Sequence, residues 1–81
     1  MDLQSIEPYS ILDARGLTCP MPLLKTKKTL KDVPTGEIRE IWGTDPGSKN
    51  DIPHFGGKKG NAFLGFVDDD EGYTRYFIRK G

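Results

Sequence analysis

The chain has one cysteine, one histidine and one tryptophan in 81 residues, and its charges cancel, with 12 Lys and Arg against 12 Asp and Glu. A lone thiol, Cys19, cannot close a disulfide within the chain; it either pairs with another chain or stays free, as suits a reducing cytosol. No second thiol stands at Cys-x-x-Cys spacing, which excludes a thioredoxin-type cycle. One cysteine and one distant histidine are too few for a closed zinc site. A cysteine hydrolase needs a base beside its nucleophile, and the only candidate, His54, reads better as a surface residue of a glycine-containing stretch. The zero charge balance argues against a general polyanion binder. No apolar run approaches the roughly 18 residues that cross a bilayer. Met1 to Ser10 is polar, with Asp2 and Glu7, unlike a signal or transit segment. These absences predict a small cytoplasmic domain with no cofactor and no metal.

What is present centres on that thiol. Cys19 opens the tetrapeptide Cys19-Pro20-Met21-Pro22, directly ahead of a helix-patterned stretch. Free N–H groups and aligned peptide dipoles at a helix start favour negative charge, and can hold a thiol as the reactive thiolate. Pro20 suits the first helical position, and both prolines remove donors that the first turn leaves unpaired anyway. The alternative, a buried cysteine acting as a small hydrophobe, fits the two prolines less well.

The remaining pattern describes a single domain over residues 10–81 after a lead-in over residues 1–9. Ile11 to Ala14 reads as a strand. A helix follows from about Pro20 to Val33, with Thr18 or Cys19 as N-cap, Leu23, Leu30 and Val33 on one face and Leu24 at its edge. Lys25, Lys28 and Lys31 lie on the opposite side. Glu37 to Gly43 reads as a strand whose alternation Arg39-Glu40 disturbs. A weaker helix spans Ser48 to about Gly60, disfavoured by Pro53, Gly56 and Gly57. Ala62 to Val67 and Tyr73 to Arg79 read as strands joined by the acidic loop Asp68 to Glu71. The order β-α-β-α-β-β predicts an α/β two-layer sandwich, with a mixed four-stranded sheet and both helices on one face.

An activated thiol with no base, no resolving cysteine and no metal set fits one task. It accepts a group from one protein and gives it to another. At this point the sequence resembles a known family. Leu12-Asp13-Ala14-Arg15-Gly16-Leu17-Thr18-Cys19-Pro20-Met21-Pro22 is similar to the signature of the TusA (SirA-like) sulfur carriers. Thr44-Asp45-Pro46-Gly47-Ser48 with Asp51-Ile52-Pro53 resembles their second block, and Phe77-Ile78-Arg79-Lys80 their last strand. The resemblance implies a sandwich like the C-terminal domain of translation initiation factor three. It also implies a sulfurtransferase-type carrier, with a covalent cysteine persulfide and no self-contained catalytic machinery. Cys19 would be the acceptor, with Pro20 and Pro22 as its supporting motif. Implied partners are a sulfur donor (a cysteine desulfurase or a rhodanese) and a sulfur acceptor. The implied settings are tRNA thiolation, molybdenum-cofactor synthesis or dissimilatory sulfur metabolism. Some members carry a second cysteine where this chain has Phe55-Gly56-Gly57, so a mechanism that needs an internal second thiol does not transfer.

Other residues have candidate roles beside the thiol. Arg15 could hold an anionic persulfide or a partner carboxylate, and Met21, Lys25 and Lys28 could meet a partner. Asp45 reads as a turn residue rather than an acid catalyst. Half of the aromatics Phe63, Phe66, Tyr73, Tyr76 and Phe77 should face the helices; direct nucleic-acid binding through the rest is not expected. The chain is expected to be a monomer. The competing reading is a non-catalytic interaction or regulatory module of the same fold.

Overall fold

A computed structural model describes residues 8–18, 21–57 and 60–81. Its elements run β1 (Ser10–Ala14), α1 (Met21–Leu30), β2 (Ile38–Gly43), α2 (Ser48–Gly56), β3 (Ala62–Asp68) and β4 (Thr74–Arg79). The sheet order is β1-β2-β4-β3. β1 and β2 are parallel and need a crossover, which α1 supplies; β4 is antiparallel to both β2 and β3. The α/β sandwich expected from the pattern is the observed fold. Of the lead-in, Tyr9 extends the β1 pairing, its N–H donating to the Ile38 carbonyl at 2.7 Å.

α1 is shorter than the pattern predicts, ending at Leu30 rather than Val33. Asp32 and Val33 donate instead to the carbonyls three residues back, the tighter turn common at helix ends. Pro34 disfavours helical geometry at the residue before it. Two cations from the sheet complete this end: Arg39 Nη2 donates to the Thr29 carbonyl and Lys80 Nζ to the Leu30 carbonyl, each at 2.9 Å. They give the two carbonyls that already accept from Asp32 and Val33 a second, charged donor, and oppose the negative end of the helix dipole. Val33 remains buried in the core although it is outside the helix. Leu24 is 48% exposed and Leu23 half-buried, while Pro22 and Thr26 take fully buried positions. Thr26 is tolerated there because its hydroxyl donates to the Pro22 carbonyl at 2.7 Å.

The core joins Ala14, Leu30, Val33, Ile41, Ile52, Tyr76 and Ile78, flanked by Leu12, Leu17, Phe55 and Phe63. Arg39 and Glu40, which break the strand pattern, are both buried, on opposite faces of β2. Arg39 faces α1. Glu40 faces away from the helices, where it receives Arg75 Nε at 3.0 Å and Nη2 at 3.2 Å. Phe77, opposite Glu40 in the β2–β4 register, is fully buried on that same face beneath the Arg75 guanidinium. Of the five aromatics, Phe63, Phe66 and Tyr76 lie on the helix side. Phe63 and Phe66 share that side, against simple alternation, because the β3–β4 register shifts between Phe63 and Gly65. Gly65 adopts φ +142°, a conformation open chiefly to glycine.

α2 stops at Gly56, short of the expected Gly60. Gly56 is buried against the sheet. A Cβ there would stand 3.1 Å from Phe63 Cβ and 3.2 Å from Ile78 Cδ1. Gly56→Val is therefore expected to cost about 1–3 kcal/mol by overpacking. A lowered urea midpoint at unchanged slope would show it; an unchanged midpoint would contradict the packing described.

Candidate functional site

β1 and β2 run in the same direction, so the loops leading into α1 and α2 leave the sheet at one end. That is where open α/β sheets place their ligands and reacting groups. The two sequence blocks, Arg15 to Pro22 and Thr44 to Ser48, meet there: the Gly16 N–H donates to Thr44 Oγ1 at 2.9 Å.

The first loop turns immediately after β1. Leu17 N–H donates to the Ala14 carbonyl at 3.3 Å. Gly16 sits at φ +81°, where a side chain would be strained. At the far side, the Met21 N–H donates to the Thr18 carbonyl at 2.9 Å as α1 begins. Cys19 and Pro20 lie between these anchors and outside the described residues. Pro22 is fully buried under the first turn, whereas Met21 is 42% exposed beside exposed Lys25 and Lys28. Met21, Leu24, Lys25 and Lys28 thus form an apolar and basic outer surface next to the thiol in sequence.

The second loop is a turn. Ser48 N–H donates to the Asp45 carbonyl at 3.1 Å, and its hydroxyl reaches Asp45 Oδ2 at 3.5 Å. Asp45 shapes this turn, and the helix behind it has no side-chain cap bond at Gly47. His54 is exposed on α2 and lines a groove of about 520 Å³ between the helices, together with Leu23, Lys27, Leu30 and Phe55. Among the described residues no group of three or more His, Asp or Glu side chains could hold a metal ion.

Arg15 is tied down in a way its sequence position does not reveal. Its Nε and Nη2 donate to the two oxygens of Asp13 at 2.9 and 2.8 Å, a two-pronged pair. Its guanidinium lies over the rings of Trp42 and Tyr73, 4.8 and 5.0 Å from their centroids. The paired guanidinium, with the Arg15 N–H, holds the Asp13 carboxyl down at about 2. Trp42 Nε1 donates in turn to Glu40, the carboxylate paired with Arg75. The hydrogen bonds that Arg75 donates to the Glu40 carboxylate raise the Arg75 pKa. The Tyr73 hydroxyl is raised too, first by burial and then by Asp69 and Glu71. The sequence places Asp13 and Thr44 in the two family-like blocks without a role of their own, and Trp42 and Tyr73 only in strands. Membership of those blocks and the Asp13-x-Arg15 spacing are the signals that point to this cluster.

A family model described as "Sulfurtransferase TusA" matches residues 10–80. The chain belongs to the TusA family. It is 46% identical over 71 residues to the putative sulfur carrier protein YrkF of Bacillus subtilis, covering 88% of this chain and 38% of that protein. YrkI of the same organism, also named a putative sulfur carrier protein, is 38% identical over 71 residues, with 88% and 93% covered. The sulfur carrier protein TusA of Allochromatium vinosum is 39% identical over 69 residues, with 85% and 88% covered. The chain thus spans well under half of the first relative and nearly all of the second. A crystal structure of a SirA-like protein from Desulfitobacterium hafniense superposes with a TM-score of 0.78 at 22% identity, over 89% of this chain and 97% of that one. That likeness is one of fold.

Proposed function

We propose that this TusA-family member carries sulfane sulfur as a persulfide on Cys19, receiving it from a donor protein and passing it to an acceptor. The observation that carries the reading is the chain's single thiol, in the Cys-Pro-x-Pro motif of a domain that matches the family from residue 10 to residue 80. The step balances without an oxidant. The Cys19 thiolate attacks the outer sulfur of a donor persulfide, a new S–S bond forms at Sγ, the donor S–S bond breaks, and the donor leaves as its thiolate. Delivery is the same exchange onto the acceptor. The partners supply any base and any further chemistry.

The surface formed by Met21 and Leu24, with Lys25 and Lys28 beside them, supports docking of a partner with an apolar patch and acidic surroundings. Such charges chiefly raise the rate of encounter and fix register. Cysteine desulfurases and rhodanese-type proteins are the donor classes this reading takes, working in the cytoplasm. tRNA thiolation, molybdenum-cofactor synthesis and dissimilatory sulfur metabolism are its candidate destinations. Among the described residues no helix is long and apolar enough to cross a membrane. Arg15 already covers the faces of Trp42 and Tyr73, which leaves those rings poorly placed to stack bases.

A carrier must both take up sulfur and release it. The protein should therefore be incubated with a small persulfide donor, freed of it by gel filtration, and treated with cyanide. One thiocyanate per chain is expected, since cyanide removes the outer sulfur and leaves the thiolate. No thiocyanate would remove the carrier reading and leave an interaction module of the same fold.

A further inference from the structure

We infer that Arg15 is a positioning residue for the thiol loop, locked by Asp13 and the Trp42–Tyr73 pair and seconded by Thr44 on the next backbone N–H. The inference rests on the carrier reading for its consequence, because the chain it steers reaches Cys19 four residues later.

Three restraints from three parts of the fold converge on adjacent residues. The Asp13 carboxylate takes both prongs of Arg15 from within the same strand end. Trp42 from β2 and Tyr73 from the residue before β4 lie beneath the guanidinium, with their own ring centroids 5.2 Å apart. Thr44, beyond the end of β2, accepts the Gly16 N–H. The network also has a root. Trp42 Nε1 donates to Glu40, and Glu40 is buried under Arg75 on the face away from the helices. Arg15 is thereby connected to the middle of the sheet.

Any one of these contacts is weak by itself. Asp13 and Arg15 side chains are 50% and 40% exposed, and an exposed ion pair contributes little to stability. Their value lies in geometry. Gly16 is the loop's free pivot, able to take left-handed and right-handed conformations alike. A planar fork held at two oxygens and stacked on two rings has few other ways to sit. The direction in which the chain leaves Arg15 is fixed just before the pivot, and Thr44 fixes the pivot itself. A segment held beforehand loses less freedom when a partner docks, and Arg15 and Gly16 are so held.

The test uses Arg15→Met, Arg15→Lys and Thr44→Val in the full chain. Amide hydrogen exchange is followed at Gly16, Leu17 and Thr18, and the pH profile of Cys19 alkylation by iodoacetamide is recorded. Arg15→Met and Thr44→Val should each speed exchange at those amides by about 5- to 10-fold, while the amides of β2 and β4 keep their protection. Both should move the alkylation profile in the same direction, although only the first removes a charge. Arg15→Lys should behave like Arg15→Met, since an ammonium cannot reproduce the fork. Unchanged exchange at residues 16–18 would overturn the inference. So would full rescue by Arg15→Lys, or a profile altered by Arg15→Met alone, because either would make Arg15 a simple charge. If Arg15→Met loses sheet protection, Thr44→Val, at an exposed hydroxyl, decides the matter. Sulfur loading of the unaltered chain is scored separately: its failure removes the carrier reading, whereas loop exchange judges Arg15.

Discussion

Cys19→Ser is expected to abolish sulfur loading and leave the fold in place. A serine hydroxyl cannot form the S–S bond that holds sulfane sulfur, and no other residue can take over, because the chain has no second cysteine. Serine is a favoured residue at helix starts, so the far-UV spectrum and the thermal midpoint should stay close to those of the native chain. Labelled sulfur from a persulfide donor is the readout. Any labelling of the serine variant that a reductant can release would place the sulfur elsewhere.

The largest expected change in stability comes from Arg75→Met. Glu40 has a side chain only 2% exposed, and Arg75, at 23%, is the cation that neutralises it. Removing the cation leaves a buried carboxylate without its counter-ion, at a cost of about 3 kcal/mol at neutral pH, the lower end for such pairs because Arg75 is partly exposed. The denaturant midpoint at neutral pH should therefore fall in Arg75→Met, and much less in Glu40→Leu/Arg75→Met. The double variant should recover most of the loss. A double variant no more stable than Arg75→Met would mean that packing on Phe77, rather than the charge, was responsible.

Much of this was legible in the chain because it depends on local chemistry. Ile11 to Ala14, the proline-framed helix start, the glycine and proline stops and the acidic hairpin loop each carry their own short-range cause. The α/β sandwich followed from their order. What could not be read was set by contacts across the sheet. Arg39-Glu40 looked like a defect in a strand, yet each side chain is buried against a partner distant in sequence: the Thr29 carbonyl for one, Arg75 for the other. The bulge between Phe63 and Gly65 moves Phe66 to the helix side, and alternation alone gave no sign of it. Helix lengths were overestimated for a related reason. The end of α1 depends on Pro34 locally, but also on Arg39 and Lys80 arriving from the sheet to take its carbonyls.

The site divides in the same way. The thiol, its prolines and the second block were visible as motifs, and the fold joins the blocks through Gly16 and Thr44. The setting of Arg15 was not visible, because Trp42 and Tyr73 reach it only once β2 and β4 are paired. Sequence offered Arg15 as a ligand for an anionic sulfur. The structure shows its fork closed on Asp13, which is why its role here is assigned to the loop rather than to the cargo.

Intact mass of the protein after exposure to a persulfide donor tests the central claim most directly. The account predicts a gain of one sulfur, ~32 daltons, that a reductant removes and that prior alkylation of Cys19 prevents. A native chain that gains no mass, or one that gains it equally after Cys19 has been blocked, would contradict it.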